Sequence, residues 1–218
     1  MMKVTNLRKS YGQGESKVEV LKGINLEISK GETLALIGKS GSGKSTLLSL
    51  LAGLDQPDSG EISFENQNIS SMSEKKLTQF RAENMGIVFQ QFHLVSTLTA
   101  FENVLLPLEL LKRKHAKERA MSLLESVGLS HRGHHLPSQL SGGESQRVAI
   151  ARALAIGPNI LFADEPSGNL DEETGDIVMD LLFKMVKETN TTMVLVTHDQ
   201  DLAKKCSRVV HLEHGGLL

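Results

Sequence analysis

The stretch GKSGSGKS, residues 38–45, places glycines at 38, 41 and 43 among small hydroxyl residues and closes on Lys44 and Ser45. The spacing G-x-x-x-x-G-K-[ST] lets a loop aim its backbone N–H groups inward at phosphate oxygens. Gly41 and Gly43 allow the curl. Lys44 offers a cation to β- and γ-phosphates, and Ser45 offers a hydroxyl to Mg2+. Gly38, Lys39, Ser40, Ser42 and Thr46 complete the nucleotide-binding set, although Lys39 has no separate role. A second group, Asp164 and Glu165, ends the apolar run ILFADEP. Ligands of α/β proteins sit beyond the carboxyl ends of such strands. An aspartate there reaches Mg2+, often through water, and the next carboxylate orients or deprotonates the water that attacks a γ-phosphate. A third group, Ser141, Gly142 and Gly143, stands where a long helical pattern begins. Free N–H groups, little side-chain bulk and a positive dipole end make that turn an anion site too. One chain therefore carries two phosphate cradles.

The elements that position these groups follow from periodicity. In GINLEIS, Ile24, Leu26 and Ile28 alternate with polar residues, as in a half-buried strand. ETLALIG runs as a strand into the glycine loop, and KSTLLSLLAGL leaves it with helical spacing. GIVFQ, residues 86–90, is a further short strand. Between residues 91 and 155 helical patterns dominate: TAFENVLLPLELL, KERAMSLLESVG and ESQRVAIARALAIG, the last stopped by Gly157 and Pro158. NILFADE, TTMVLVTHD and RVVHLE are strands. Asp171 is the expected cap of a helix whose apolar stripe is Ile177, Val178, Leu181, Leu182, Met185 and Val186. Strand–helix alternation on both sides of a helical block predicts an α/β core with an inserted helical lobe.

Composition narrows the functional classes. The 218 residues, 39% of them hydrophobic, suffice for a large domain with a packed core. A net charge of −2 gives no basic footprint, so no nucleic-acid partner is expected. One cysteine, Cys206, rules out an internal disulfide, suits a reducing compartment and reads as a small buried residue. The first residues hold no apolar segment of a secretory signal, and the run VLLPLELL is too short to cross a bilayer. Any membrane role is expected to come through a partner. The HRGHH cluster, with His131, His134 and His135, lacks a nearby acidic or cysteine ligand and reads as a solvated loop.

Taken together and in order, these motifs resemble the nucleotide-binding subunit of ABC transporters over essentially the whole chain. Residues 38–45 match the Walker A loop, Asp164 the Walker B aspartate, and LSGGE, residues 140–144, the signature motif. The resemblance implies further roles. Tyr11 in KSYGQG would stack on adenine. Gln90 would touch Mg2+ and water and signal to a membrane partner. Glu165 would be the catalytic glutamate, SGNLD (167–171) the D-loop, and His198 the γ-phosphate switch. It also implies a P-loop NTPase fold: a RecA-like α/β core with an N-terminal antiparallel β subdomain and an inserted α-helical subdomain. Residues 1–90 and 156–218 would form the core of a single domain, and 91–155 the helical signature lobe. Two chains would pair head to tail, Ser141, Gly142 and Gly143 of one closing on the ATP held by the other. Hydrolysis would then move integral membrane permease subunits at the cytoplasmic face of a bacterial inner membrane.

PSGNLD and the GQG…VEVLKGINLEI opening resemble the lipoprotein-release and macrolide-export branch (LolD-, MacB- and YbbA-like), and HLPSQLSGGE and NILFADEPSGNLDEETGD its YbbA-like members most. Export or an envelope-related task is the expectation, with no regulatory domain beyond HGGLL. Glu144 and Ser167 depart from the commoner glutamine and threonine, and neither is expected to touch the chemistry. A partner surface is expected near Gln90, Phe92 and Leu94, unless Phe92 and Leu94 simply pack inward. The alternative is a non-transport ABC ATPase acting on nucleic acid or ribosomes, against which stand the charge and the lack of a long coiled-coil insertion or a tandem domain. A kinase or GTPase on the same loop is opposed by the signature motif and by the lack of a guanine-type NKxD.

Overall fold

The chain alternates strands and helices in the order β1 (Met2–Gln13), β2 (Ser16–Ile28), β3 (Thr33–Ile37), α1 (Lys44–Leu51), β4 (Ser59–Phe64), β5 (Gln67–Asn68), α2 (Glu74–Asn84) and β6 (Met85–Phe89). There follow α3 (Ala100–Leu110), α4 (Ala116–Ser126), α5 (Gly142–Leu154), β7 (Ile160–Asp164), α6 (Glu172–Thr189), β8 (Thr192–Val196), α7 (Gln200–Lys204), β9 (Arg208–Glu213) and β10 (Gly216–Leu217). This computed structural model describes residues 1–13 and 16–218; Gly14, part of the GQG stretch that carries the branch resemblance, lies outside the described residues. The chain divides into two units, Met1–Arg81 with Thr192–Leu218, and Ala82–Thr191.

In the first unit β2, β1, β4 and β5 form an antiparallel sheet in that order. Val4, Leu7, Leu21, Ile24, Leu26, Ile28, Ile62 and Phe64 are buried, so the alternation of Ile24, Leu26 and Ile28 marks a true inward face. Strand β3 lies parallel between β8 and β9. Leu34, Ala35 and Leu36 are fully buried, as are Met193, Val194, Leu195 and Val196 of β8, which explains why these strands show no alternation. Helix α1 leaves the glycine loop with Leu47, Leu48, Leu50 and Leu51 buried.

In the second unit β6 and β7 run parallel, with Phe89 level with Asp164. Helices α3, α4 and α5 pack on one another. Asp171 caps α6 by accepting the Thr174 N–H. The α6 stripe differs from the sequence reading: Ile177 is 57% exposed, Leu181 is only half-buried, and Met179 joins the buried face, because the packed face runs Val178, Met179, Leu182, Met185, Val186. The i, i+1 pairing of two apolar residues hides which member faces inward.

Asn103 ties the start of α3 to the loop before it. Its side chain is fully buried. Its Oδ1 accepts the Val95 N–H at 2.8 Å, and its Nδ2 donates to the carbonyls of Val95, Leu98 and Thr99 at 3.1, 3.0 and 3.0 Å. Thr99 caps α3 in a reciprocal box with Glu102. An Asn103→Leu variant keeps the volume and orphans these main-chain groups. The expected loss is about 2–4 kcal/mol, read as a lower urea midpoint; an unchanged midpoint would show that the loop finds other partners.

Candidate functional site

The phosphate loop begins where β3 ends. Gly43 occupies the N-cap of α1 with φ of 102°, a left-handed conformation that side chains resist. A Cβ there would also meet Val20 Cγ1 at 2.9 Å and Leu21 Cδ2 at 3.1 Å, so the loop lies directly on β2. The Lys44 side chain is buried and its ammonium donates to the carbonyls of Gly38 and Lys39 at 2.8 and 3.0 Å. The cation is thus held inside the curl. Ser42 Oγ is buried without a hydrogen-bond partner. An orphaned hydroxyl at the base of an N–H-lined turn suits an anion. Ser40, Gly41 and Ser45 are exposed, and Thr46 is half-buried.

His198 stands two residues beyond β8 and is exposed. It lines a cavity of ≈ 340 Å³ together with Gly38, Lys39, Gln200, His211 and Glu213. Lys39 Nζ lies 4.0 Å from Glu213 at the same place, with 89% of its side chain exposed, an ion pair worth little. Tyr11 is 42% exposed and donates its hydroxyl to Asp55 Oδ2 at 2.8 Å. The Lys9 ammonium lies 5.1 Å from the ring centroid. Sequence reasoning did not single out Lys9 or Asp55. The one available signal was a lysine at alternating strand spacing from inward-facing neighbours. The structure therefore assembles Tyr11, residues 38–46 and His198 within the first unit.

The second unit gathers the other motifs. The register of β6 and β7 sets Gln90 beside Glu165, one residue past the paired Phe89 and Asp164. Glu165 has φ of 44°, a strained main chain of the kind found at functional turns. Its carbonyl accepts the Gly168 N–H at 2.9 Å. Gln90 and Asn169 hold each other: Gln90 Nε2 donates to Asn169 Oδ1 at 3.1 Å, and Asn169 Nδ2 to the Gln90 carbonyl at 3.0 Å. Asn169 was legible only as a letter within SGNLD. Arg152 of α5 donates to the carbonyls of Phe92 and His93 at 2.9 and 2.6 Å, fixing the segment after Gln90. Phe92 and Leu94 are half-buried, neither fully inward nor fully outward.

The serine–glycine turn forms as a helix start. Ser141 caps α5, with its hydroxyl accepting the Glu144 N–H at 3.2 Å and its own N–H donating to Glu144 Oε2 at 2.8 Å. Ser141 and Gly142 are exposed, whereas Gly143 is buried, and a Cβ on it would strike Thr174 Cγ2 of α6. Glu144 has a structural part in the signature turn, as the partner of Ser141 in its cap. Arg132 Nε donates to Glu144 Oε1 at 2.9 Å, and its guanidinium meets His135 Nε2 at 3.2 Å. A carboxylate at the start of α5 is thereby matched by a guanidinium. Among the described residues no group of three or more His, Cys, Asp or Glu is arranged to hold a metal. Cys206 is buried, and burial pushes its thiol up to about 11.

These turns on these strands are those of an ATP-binding cassette, and comparison with known proteins agrees. The ABC transporter family model matches residues 21–168, and the chain belongs to that family. It is an ATP-binding, ATP-hydrolysing subunit of the transport kind, which sets aside the nucleic-acid or ribosome alternative. The chain is 51% identical to the ABC transporter ATP-binding protein YbbA of Escherichia coli K12, over 100% of this chain and 96% of that one. It is 52% identical to the lipoprotein-releasing system ATP-binding protein LolD of Legionella pneumophila strain Lens, over 97% and 94%. Among solved structures, the cassette MJ0796 in a dimeric post-hydrolysis state bound to ADP and Pi superposes with a TM-score of 0.92 at 42% identity, covering 100% of this chain and 96% of that one. The expected fold, a P-loop NTPase with antiparallel and helical additions, is thereby established.

The Ser141 N–H and the Arg132 pair hold the Glu144 carboxyl below its ordinary 4.5. A lowered folded-state value stabilises above the unfolded one and is lost as pH falls through the folded one. Glu144→Gln keeps an oxygen for the Ser141 N–H but has no charge. Wild type is therefore expected to exceed it by roughly 0.5–1 kcal/mol at neutral pH, with the gap closing below about pH 4.5. Urea unfolding of both proteins across that range checks it; a gap independent of pH would refute the charge pairing.

Proposed function

We propose that the chain works as one of two cassettes bridged by ATP, driving membrane partner subunits. The observation that carries this reading is the signature turn. It is a folded, capped helix start with Ser141 and Gly142 exposed, built for an anion yet lacking a lysine of its own. The dimeric MJ0796 cassette, whose chain is 43% identical, supports a pair of chains; in this reading they meet head to tail, and Ser141, Gly142 and Gly143 close on the γ-phosphate held by the partner.

In this reading residues 1–90 and 156–218 form the catalytic core and 91–155 the signature lobe. Tyr11 stacks on adenine, and residues 38–46 hold the phosphates. Lys44, already poised inside the loop, shifts its donors from the Gly38 and Lys39 carbonyls to phosphate oxygens. Ser45, Gln90 and Asp164 offer only oxygen donors, which suits Mg2+, and that ion when bound neutralises phosphate charge. Glu165 orients and deprotonates the attacking water, and His198 holds the γ-phosphate. The amide pair between Gln90 and Asn169 links the end of β6 to the D-loop, so a push on one moves the other.

No described helix is long and apolar enough to cross a membrane. The likeness to ABC transporter ATP-binding subunits supports coupling through a docked permease at the cytoplasmic face of a bacterial inner membrane. A groove of ≈ 250 Å³ lined by Met85, Ile87, Leu106, Leu110 and Arg152 supports a partner surface beside Phe92 and Leu94. Leu110 is 73% exposed at its edge. The likeness to LolD supports export or an envelope task.

Glu165→Gln is expected to bind ATP, to hydrolyse it about 10²- to 10⁴-fold more slowly, and to accumulate as a dimer. Phosphate release and size-exclusion chromatography read both effects. A variant that stays monomeric at saturating Mg-ATP would sink the bridged pair.

A further inference from the structure

Lys9 is a buried lysine on an edge of chemistry that does not use it. It is 8% exposed, although its place on β1 would allow it to reach water. An ammonium withdrawn from water costs several kcal/mol unless well paired. Lys9 Nζ donates to Asp55 Oδ1 at 2.8 Å and to the Gln56 carbonyl at 2.6 Å. Asp55 in turn accepts from Lys9, from the Gln56 N–H at 2.7 Å, and from the Tyr11 hydroxyl at 2.8 Å. Burial would raise the Asp55 carboxyl, but these donors outweigh it and hold it below the usual aspartate value. Partial burial and then the Asp55 bond raise the Tyr11 phenol above its ordinary value, while a bond to Thr46 opposes them. Tyr11 is thus gripped at its hydroxyl, and Lys9 sits over its ring at 5.1 Å.

We propose that Lys9 and Asp55 are positioning residues for the nucleotide base, fixing Tyr11 as a preformed platform for the purine ring. The proposal rests on the reading that Tyr11 stacks on adenine. An exposed aromatic side chain loses rotamer freedom when a base settles on it, a cost of roughly 0.5–1.5 kcal/mol. A phenol already bonded to a carboxylate that is itself held by Lys9 has lost that freedom before the base arrives. Lys9 serves a second end. Asp55 and Asp58 would otherwise present two anions beside a polyphosphate site; Lys9 neutralises the first, and Lys17, 3.4 Å away, pairs with the second. Connectivity adds a third. Asp55 follows α1, whose first residue is Lys44, and the Tyr11 hydroxyl also meets Thr46 in that helix. Base platform and phosphate loop are therefore spaced by one short rigid element.

The chain has one tyrosine and no tryptophan, so its intrinsic emission reports on Tyr11 alone. A phenol bonded to a carboxylate emits weakly. Asp55→Asn should brighten the nucleotide-free protein, and Tyr11→Phe removes only one hydroxyl and leaves the fold intact. Calorimetry with Mg-ATP and with inorganic tripolyphosphate then separates base from phosphate. Tyr11→Phe, Asp55→Asn and Lys9→Met should each weaken ATP about three- to tenfold, the measure of one such bond, and leave tripolyphosphate within about twofold. The Tyr11→Phe/Asp55→Asn double variant should lose no more than either single one. If Tyr11→Ala weakens ATP but Tyr11→Phe and Asp55→Asn do not, stacking stands and the clamp is wrong. If Tyr11→Ala leaves ATP binding unchanged, the stacking reading falls and the clamp with it. Equal losses for ATP and tripolyphosphate, additive single effects, or emission unmoved by Asp55→Asn would each overturn the proposal.

Discussion

A triphosphate carries more negative charge than one or two side chains can neutralise without large desolvation costs, so the chain must meet it with oriented main-chain N–H groups. That constraint governs the architecture. N–H groups converge where a helix begins in a tight turn, and in both such turns here Cβ atoms are excluded at a glycine. At Gly43 the backbone conformation and the contact with β2 both forbid a side chain; at Gly143 the neighbour α6 does. Glycine in these turns is therefore a matter of packing between elements as much as of local freedom.

The same economy appears around Glu165. Its left-handed main chain stores strain of about 1–3 kcal/mol, held by the turn that Gly168 closes and by the burial of Pro166. Gly168 lies so close to Gln90 that a Cβ would approach its Nε2 at 2.7 Å. The end of β6 thus becomes the neighbour of a segment far away in sequence, the end of β7 with the D-loop that follows it. The two bonds between Gln90 and Asn169 make that junction specific, since Asn169 accepts from the Gln90 side chain and donates to its main-chain carbonyl, and neither residue is replaceable by an isosteric acid without leaving two acceptors face to face.

Much of this was legible in the sequence because it is periodic or because glycine spacing is strict. The alternation in GINLEIS, the unbroken apolar run of β7 and the cap at Asp171 all appear where local pattern put them. The silent parts have physical reasons. Helix α2, EKKLTQFRAEN, buries only Leu77 and offers no stripe to read, and β4 begins in SGE with exposed residues. In α6 the choice between Ile177 and Met179 turned on helix rotation, which tertiary packing sets. The Arg132–Glu144 and Lys9–Asp55 pairs join residues 12 and 46 positions apart, so local spacing does not pair them, although Ser141 and Glu144 by themselves fit a local capping box. Charge pairs are a property of the folded surface, and composition averages them to nothing.

The signature turn shows why such pairs matter. A helix start that ordered only around phosphate would spend part of its binding energy on folding itself. Here Ser141 and Glu144 cap each other and Arg132 balances the carboxylate, so the turn is complete beforehand. A γ-phosphate arriving at Ser141 and Gly142 then contributes its whole differential affinity to closing the proposed pair, and its loss on hydrolysis withdraws that contribution without unfolding anything. Preorganisation of both half-sites is what lets a small chemical change become a reversible mechanical one.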